Sequence, residues 1–172
     1  NKAVAIKKLK IDNFTEENLR MYIREVSIIG ELKHFAILPF IGVTTTHPYC
    51  LVTEFMSGGC LFERIHKPIK PLDGTKRTII ALGIAYAMAY MHEKNFIHRD
   101  LKTLNILLDE NDFPMVCDFG ISRMIPSAQN DFMTGCIGTA QWMAPEVMLS
   151  EQYSLKADVY SYGIILWELL SD

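Results

Sequence analysis

Ser57-Gly58-Gly59 divides this chain into two stretches that cannot share one architecture. Paired glycines interrupt regular structure, because glycine loses the most backbone freedom on ordering. Ahead of the break, apolar residues follow the strand period at three places. Ala3–Leu9 reads as a strand, with Ala5, Lys7 and Leu9 on one face and Val4 and Ile6 on the other. Ile37–Thr45 and Tyr49–Phe55 read as two more, joined near Pro48. One helix stands between the first strand and the second. Thr15 is its N-cap, Glu16 and Glu17 fill its first turn, and Leu19, Ile23 and Val26 recur at helical spacing up to about Leu32.

Beyond the break the period changes to that of helices. A short helix is predicted around Leu61–Ile65, then a loop from Lys67 to Gly74 with two prolines. Thr75–Glu93 is helical and rich in small residues, which predicts a closely packed neighbour. Ile97 to Asp118 alternates short apolar pieces with polar turns, and Gly120 to Pro145 has the weak periodicity of a long loop. Asp158–Leu170 is apolar nearly all round and predicts a fully buried helix. Strands with one helix, followed mostly by helices, predict an α+β fold of two lobes, a small β-rich one and a larger helical one, hinged at Ser57–Gly59.

Composition narrows the function. A net charge of −3 gives no basic excess for nucleic acid or an anionic membrane surface. The longest apolar stretch, Thr78 to Met91, is too short to span a bilayer. Cys50, Cys60, Cys117 and Cys136 are scattered without a CxxC pair, which suits reduced thiols in the cytoplasm better than disulfides or zinc.

Four strings carry the chemistry: Val4-Ala5-Ile6-Lys7; His98-Arg99-Asp100-Leu101-Lys102 with Asn105; Asp118-Phe119-Gly120; and Gly138-Thr139 before Ala144-Pro145-Glu146. A string fixing four positions arises by chance about once in 10⁵ starts at roughly 5% usage per residue type. Four in this order resemble the signature set of the protein kinases, over the whole chain. Gly138 to Glu146 is most similar to the tyrosine-kinase-like group of Ser/Thr enzymes.

Phosphoryl transfer needs charge neutralisation and in-line positioning more than covalent chemistry. Ala5 leaves room for a flat adenine ring, and Lys7 beyond it on the same face can reach phosphates. The resemblance implies that Glu25 pairs with Lys7, that Asp100 is the catalytic base and that Lys102 stabilises the transferring group. Asn105 and Asp118 supply hard oxygens of the kind Mg²⁺ takes. Ile106-Leu107-Leu108 would pack under the ATP. Thr53 stands at the gatekeeper position, and Glu54 and Met56 would offer backbone groups to the adenine edge. His98 and Phe119, with Phe40 and Ile29, would stack into a spine between the lobes, anchored by Asp158. Phosphate on Thr134, with Ser127 as runner-up, would neutralise Arg99 and order the segment from Asp118 to Glu146.

The expected function is therefore transfer of the γ-phosphoryl group of ATP, with Mg²⁺, to Ser and Thr of protein substrates, under the control of an upstream kinase. Lys102 and Thr139 favour Ser and Thr over Tyr. The competing readings are a scaffold that binds nucleotide without turnover, and a tyrosine or dual-specificity kinase. The glycine-rich loop that precedes Val4 in the family, and the helices that follow Leu170, are not in this chain. One partial domain is expected over 1–172, with 1–56 in the small lobe and hinge and 57–172 in the large lobe. Alone it is expected to be inactive and prone to aggregate, with Ile164, Ile165, Trp167 and Leu169 short of cover.

Overall fold

A computed structural model describes residues 3–8, 20, 23, 26–27, 29–67, 70–119, 140–149 and 154–171. Strands β1 (Val4–Lys8), β2 (Phe40–Val43) and β3 (Cys50–Glu54) form an antiparallel sheet in the order β1-β3-β2. The register sets Ala5 beside Thr53 and Lys7 beside Leu51, with Phe40 across from Thr53 on the other side. Paired residues in an antiparallel sheet share a face, so these five side chains look the same way. Val4 and Ile6 look the other way and are exposed.

The predicted strand at Ile37–Thr45 is shorter in the structure. Pro39 has no N–H for the ladder, so β2 begins after it. Ile37 makes a parallel bridge to Val116 instead, flanked by Leu38 N–H to Val116 O and Val116 N–H to Ala36 O, both 2.9 Å. This bridge joins the small lobe to the large one. Helical residues between 20 and 31 lie where the helix is predicted, with Val26 and Ile29 buried. Thr15, Glu16, Glu17 and Leu19 lie outside the described residues.

The large lobe starts with helix α1 (Leu61–His66). Helix α2 (Gly74–Glu93) is capped by Asp73, whose carboxylate accepts the Lys76 N–H at 2.8 Å. Its small residues do admit a neighbour: a Cβ on Gly83 would stand 2.5 Å from Pro114 Cγ. The alternating stretch after Ile97 resolves into a 3₁₀ turn at Thr103–Asn105 and an antiparallel pair, β4 (Ile106–Leu108) and β5 (Pro114–Val116). Another 3₁₀ turn at Ala140–Trp142 leads into the short helix α3 (Pro145–Met148).

Helix α4 (Leu155–Leu170) corrects the expectation of a fully buried helix. Ala157, Ser161, Ile165, Glu168 and Leu169 recur at helical spacing and face the core, whereas Val159, Tyr160, Trp167 and Leu170 are exposed. Ile165 and Leu169 were expected to lack cover, yet they are buried among the described residues, and of that set Trp167 is the exposed one. The sheet of three strands packed beside helices gives the α+β, two-lobed arrangement expected. Among the described residues no helix is long and apolar enough to cross a membrane.

Candidate active site

A cavity of about 240 Å³ lies between the two lobes. Its upper wall is the shared face of the sheet: Ala5, Lys7, Leu51, Thr53 and Phe40, with Leu38 and Ile29 behind. Its floor carries Leu104, Leu107, Cys117, Asp118 and Phe119. Of the apolar run expected under the nucleotide, only Leu107 lines the cavity. Ile106 and Leu108 are wholly buried in the core below, as the two-residue period of β4 requires.

The connection between the lobes runs tight against this floor. Gly58 N–H donates to Leu108 O and Leu108 N–H to Gly59 O, each at 2.9 Å. A Cβ on Gly58 would meet Asp109 O at 2.4 Å and Leu108 O at 2.8 Å, so only glycine allows the approach. Glu54 N–H donates to Pro39 O at 3.0 Å. The Met56 N–H and C=O enter none of the backbone hydrogen bonds among the described residues.

Charged groups collect at the inner end. Lys7 Nζ lies 2.6 Å from Asp118 Oδ1. Glu25, the partner expected for Lys7, lies outside the described residues. Asp100 Oδ2 accepts from Lys102 Nζ at 2.8 Å and from Asn105 Nδ2 at 2.9 Å. The same amide donates to the Asp100 carbonyl at 2.8 Å. Among the described residues the side-chain oxygen of Asn105 and Oδ2 of Asp118 enter none of these hydrogen bonds or ion pairs. Two hard oxygens beside a cavity fit Mg²⁺, which leaves its other positions to phosphate and water. No cluster of three or more His, Cys, Asp or Glu among the described residues competes for a softer metal.

Two backbone strains shape the loop. Arg99 has φ 69° and Asp118 φ 59°, in the left-handed region. Asp158, itself buried in α4, holds the first: its carboxylate accepts His98 N–H at 2.9 Å and Arg99 N–H at 3.1 Å. His92 Nε2 reaches the same carboxylate at 2.9 Å. The His98 ring is wholly buried. Its Nε2 lies 2.9 Å from Cys117 O, which can only accept, and its Nδ1 accepts Asp100 N–H at 3.3 Å. Those partners define the neutral Nε2–H tautomer, in accord with burial, which holds its pKa below the usual histidine value. The His98 ring lies 5.5 Å from that of Phe119, tilted at 56°, and Phe119 meets Phe96 edge-on at 6.3 Å. Phe119 in turn shares the cavity with Phe40 and Ile29.

The structure thus gathers Ala5, Lys7, Thr53, Leu107 and Asp118 around one cavity and links Asp100, Lys102 and Asn105 to one another. Thr134, Ser127 and Thr139 lie outside the described residues. Sequence reasoning missed Cys117, whose thiol donates to Asn105 O at 3.3 Å and whose pKa burial pushes far up. It missed Trp142 and Glu168 as well. Glu168, a lone acid inside an apolar run, was the signal available.

The family model described as protein tyrosine and serine/threonine kinase matches residues 1–172. The chain is 43% identical over 169 residues to the serine/threonine-protein kinase STY46 of Arabidopsis thaliana, covering 98% of this chain and 29% of that protein. It is 41% identical over 177 residues to human serine/threonine-protein kinase TNNI3K, covering 99% and 21%. It is likewise 41% identical over 173 residues to the Arabidopsis thaliana serine/threonine-protein kinase CTR1, covering 96% and 21%. The chain spans under a third of the length of these relatives. Matched over residues 1–172 by one family model and over nearly its whole length by relatives above 40% identity, the chain belongs to the protein tyrosine and serine/threonine kinases.

Proposed function

We propose that the protein carrying this chain transfers the γ-phosphoryl group of ATP to Ser and Thr hydroxyls of protein substrates. The observation that carries this reading is the joint presence of a Lys7–Asp118 ion pair in the cavity and an Asp100–Lys102–Asn105 cluster near its floor. Adenine lies against Ala5 and Leu107, past Thr53, with its edge toward the Glu54 carbonyl and the Met56 backbone. Lys7 holds phosphate oxygens, with Glu25 as its orienting partner. Asn105 and Asp118 hold Mg²⁺, which neutralises phosphate charge when bound. Asp100 accepts the proton of the substrate hydroxyl as that oxygen becomes a nucleophile. Lys102, 2.8 Å from the Asp100 carboxylate, is close enough to place positive charge on the transferring group.

Residues 1–56 form part of the small lobe and hinge, and 57–172 part of the large one. The free thiols at Cys50, Cys60 and Cys117 suit a cytoplasmic enzyme. An upstream kinase acting on Thr134 would exploit Arg99 beside Asp100. The test is phosphorylation of an unbiased peptide library by the full-length protein with Mg·ATP. Phosphoserine and phosphothreonine are expected. Predominant phosphotyrosine overturns the acceptor assignment, and no transfer at all overturns the reading.

A further inference from the structure

Helix α2 carries no charged residue from Thr78 to Met91. A surface helix ordinarily turns charged side chains outward. Here Ile79, Leu82 and Tyr86, three and four positions apart, form the outward stripe instead. Phe35 widens it, with its ring 6.1 Å from that of Tyr86 and 6.1 Å from that of Phe113. Phe35, Ile79, Leu82 and Tyr86 are each 42–59% exposed. Single exposed apolar residues are ordinary, but a contiguous set marks an interaction surface.

Cations gather at one end of this surface. Between residues 64 and 77 stand Arg64, Lys67, Lys70, Lys76 and Arg77 against one acid, Asp73, in a chain of net charge −3. Arg64 and Lys76 are taken up by Asp112, the residue before Phe113, so charge and apolar surface meet where β4 turns into β5. Lys67 and Lys70 enter no ion pair among the described residues. With Gly58, Glu63 and Arg64 they line a pocket of about 300 Å³. Its wall is held in shape: Arg64 Nη1 donates to Lys70 O at 2.7 Å, and Lys67 N–H to Glu63 O at 2.8 Å. None of these residues lines the nucleotide cavity or the cleft beside Asp100.

We propose that this face docks an acidic, leucine-bearing segment of a protein partner, with carboxylates in the Lys67–Lys70 pocket and apolar side chains along Ile79, Leu82 and Tyr86. Charge complementarity selects the acids, and the exposed aromatic surface supplies the contact area. An anionic membrane is the lesser fit. Its charges lie in a plane, whereas these lysines border a concave pocket, and the net charge of −3 is repelled by it. Docking here goes beyond phosphoryl transfer and does not depend on it.

The test uses the full-length protein and a fluorescent peptide of four aspartates followed by leucines at helical spacing, read by anisotropy. Binding is expected, and it weakens as salt rises. Lys67→Glu with Lys70→Glu is expected to weaken it by about tenfold or more, and Tyr86→Ser by about tenfold. Melting temperature and turnover of a short acceptor peptide are expected to stay at wild-type values. Lys67→Gln with Lys70→Gln serves if the charge reversal does not fold. The proposal is overturned if wild type does not bind the peptide, if a peptide with lysines for aspartates binds as well, or if the folded variants bind like wild type. Phosphatidylserine vesicles bound in preference to the peptide, or self-association that Tyr86→Ser abolishes, give the face to a membrane or to a second copy and overturn it as well. A wild type that binds the peptide but transfers no phosphate fells the kinase reading alone.

Discussion

Lys7 and Asp118, 111 positions apart, meet at 2.6 Å across the cleft. Both are well exposed, at 54% and 42% of their side chains. An ion pair so open to water contributes about 0–1 kcal/mol to stability. Its place in the site therefore bears on the proposed ligand binding rather than on folding, with a cation suited to phosphate and an anion suited to metal facing one another.

Asp118→Asn and Asp100→Asn in the full-length protein are accordingly expected to lower turnover by about 10²–10⁴ while leaving the melting temperature nearly unchanged. A phosphotransfer assay beside a thermal melt checks both halves. Near-normal transfer by either folded variant contradicts the assigned roles.

Gly58→Ala is expected to act on both stability and nucleotide binding. The added methyl would stand 2.4 Å from Asp109 O and 2.8 Å from Leu108 O, both backbone atoms that cannot swing aside. Displacing the connection from β4 should cost about 1–3 kcal/mol and raise the KM for ATP. Denaturant unfolding and an ATP titration report the two effects.

Gly83→Ala sets two magnitudes against each other. Alanine favours a helix interior over glycine by about 1 kcal/mol. Here the new Cβ would be 2.5 Å from Pro114 Cγ, in a ring that cannot rotate away. The overpacking is expected to win, so the variant should melt below wild type although its helix propensity has improved.

Asp112 joins α1 to α2: its carboxylate accepts Arg64 Nε at 2.9 Å and also takes the Lys76 ammonium. The hydrogen bond from Arg64 foremost holds its pKa below the usual carboxylate value. A folded pKa below the unfolded one means that the contribution is present above the unfolded pKa and is lost as pH falls through the folded value. Asp112→Asn should therefore lower the melting temperature by a few degrees at neutral pH. The gap to wild type should close in acid, which melts across a pH series will show.

Much of this was legible in the residues. The break at Ser57–Gly59 and the two periods on either side of it located the strands, the helices and the join, because each element buries one face and so writes its period into the chain. Asp100, Asn105 and Asp118 were legible because their chemistry admits few substitutes. What escaped was long-range. Nothing local in Ile37 announces a bridge to Val116, and nothing in Thr103 announces a bond to Glu168. The extent of the Ile37–Thr45 strand was misjudged because Pro39 was weighed less than the apolar run around it. Helix α4 was judged buried all round because composition records apolarity and not which neighbours are in reach.

Asp158 has a consequence in time as well as in space. It secures the amides of His98 and Arg99 from 60 and 59 positions downstream. On the ribosome, the strained backbone at Arg99 exists as unsupported chain until α4 has been made and has docked. At about 5–20 residues per second, that interval lasts several seconds. The nascent polypeptide thus carries the side chains of the loop for seconds before it holds them in place, and the activity proposed for them waits on a helix that contributes no reacting atom.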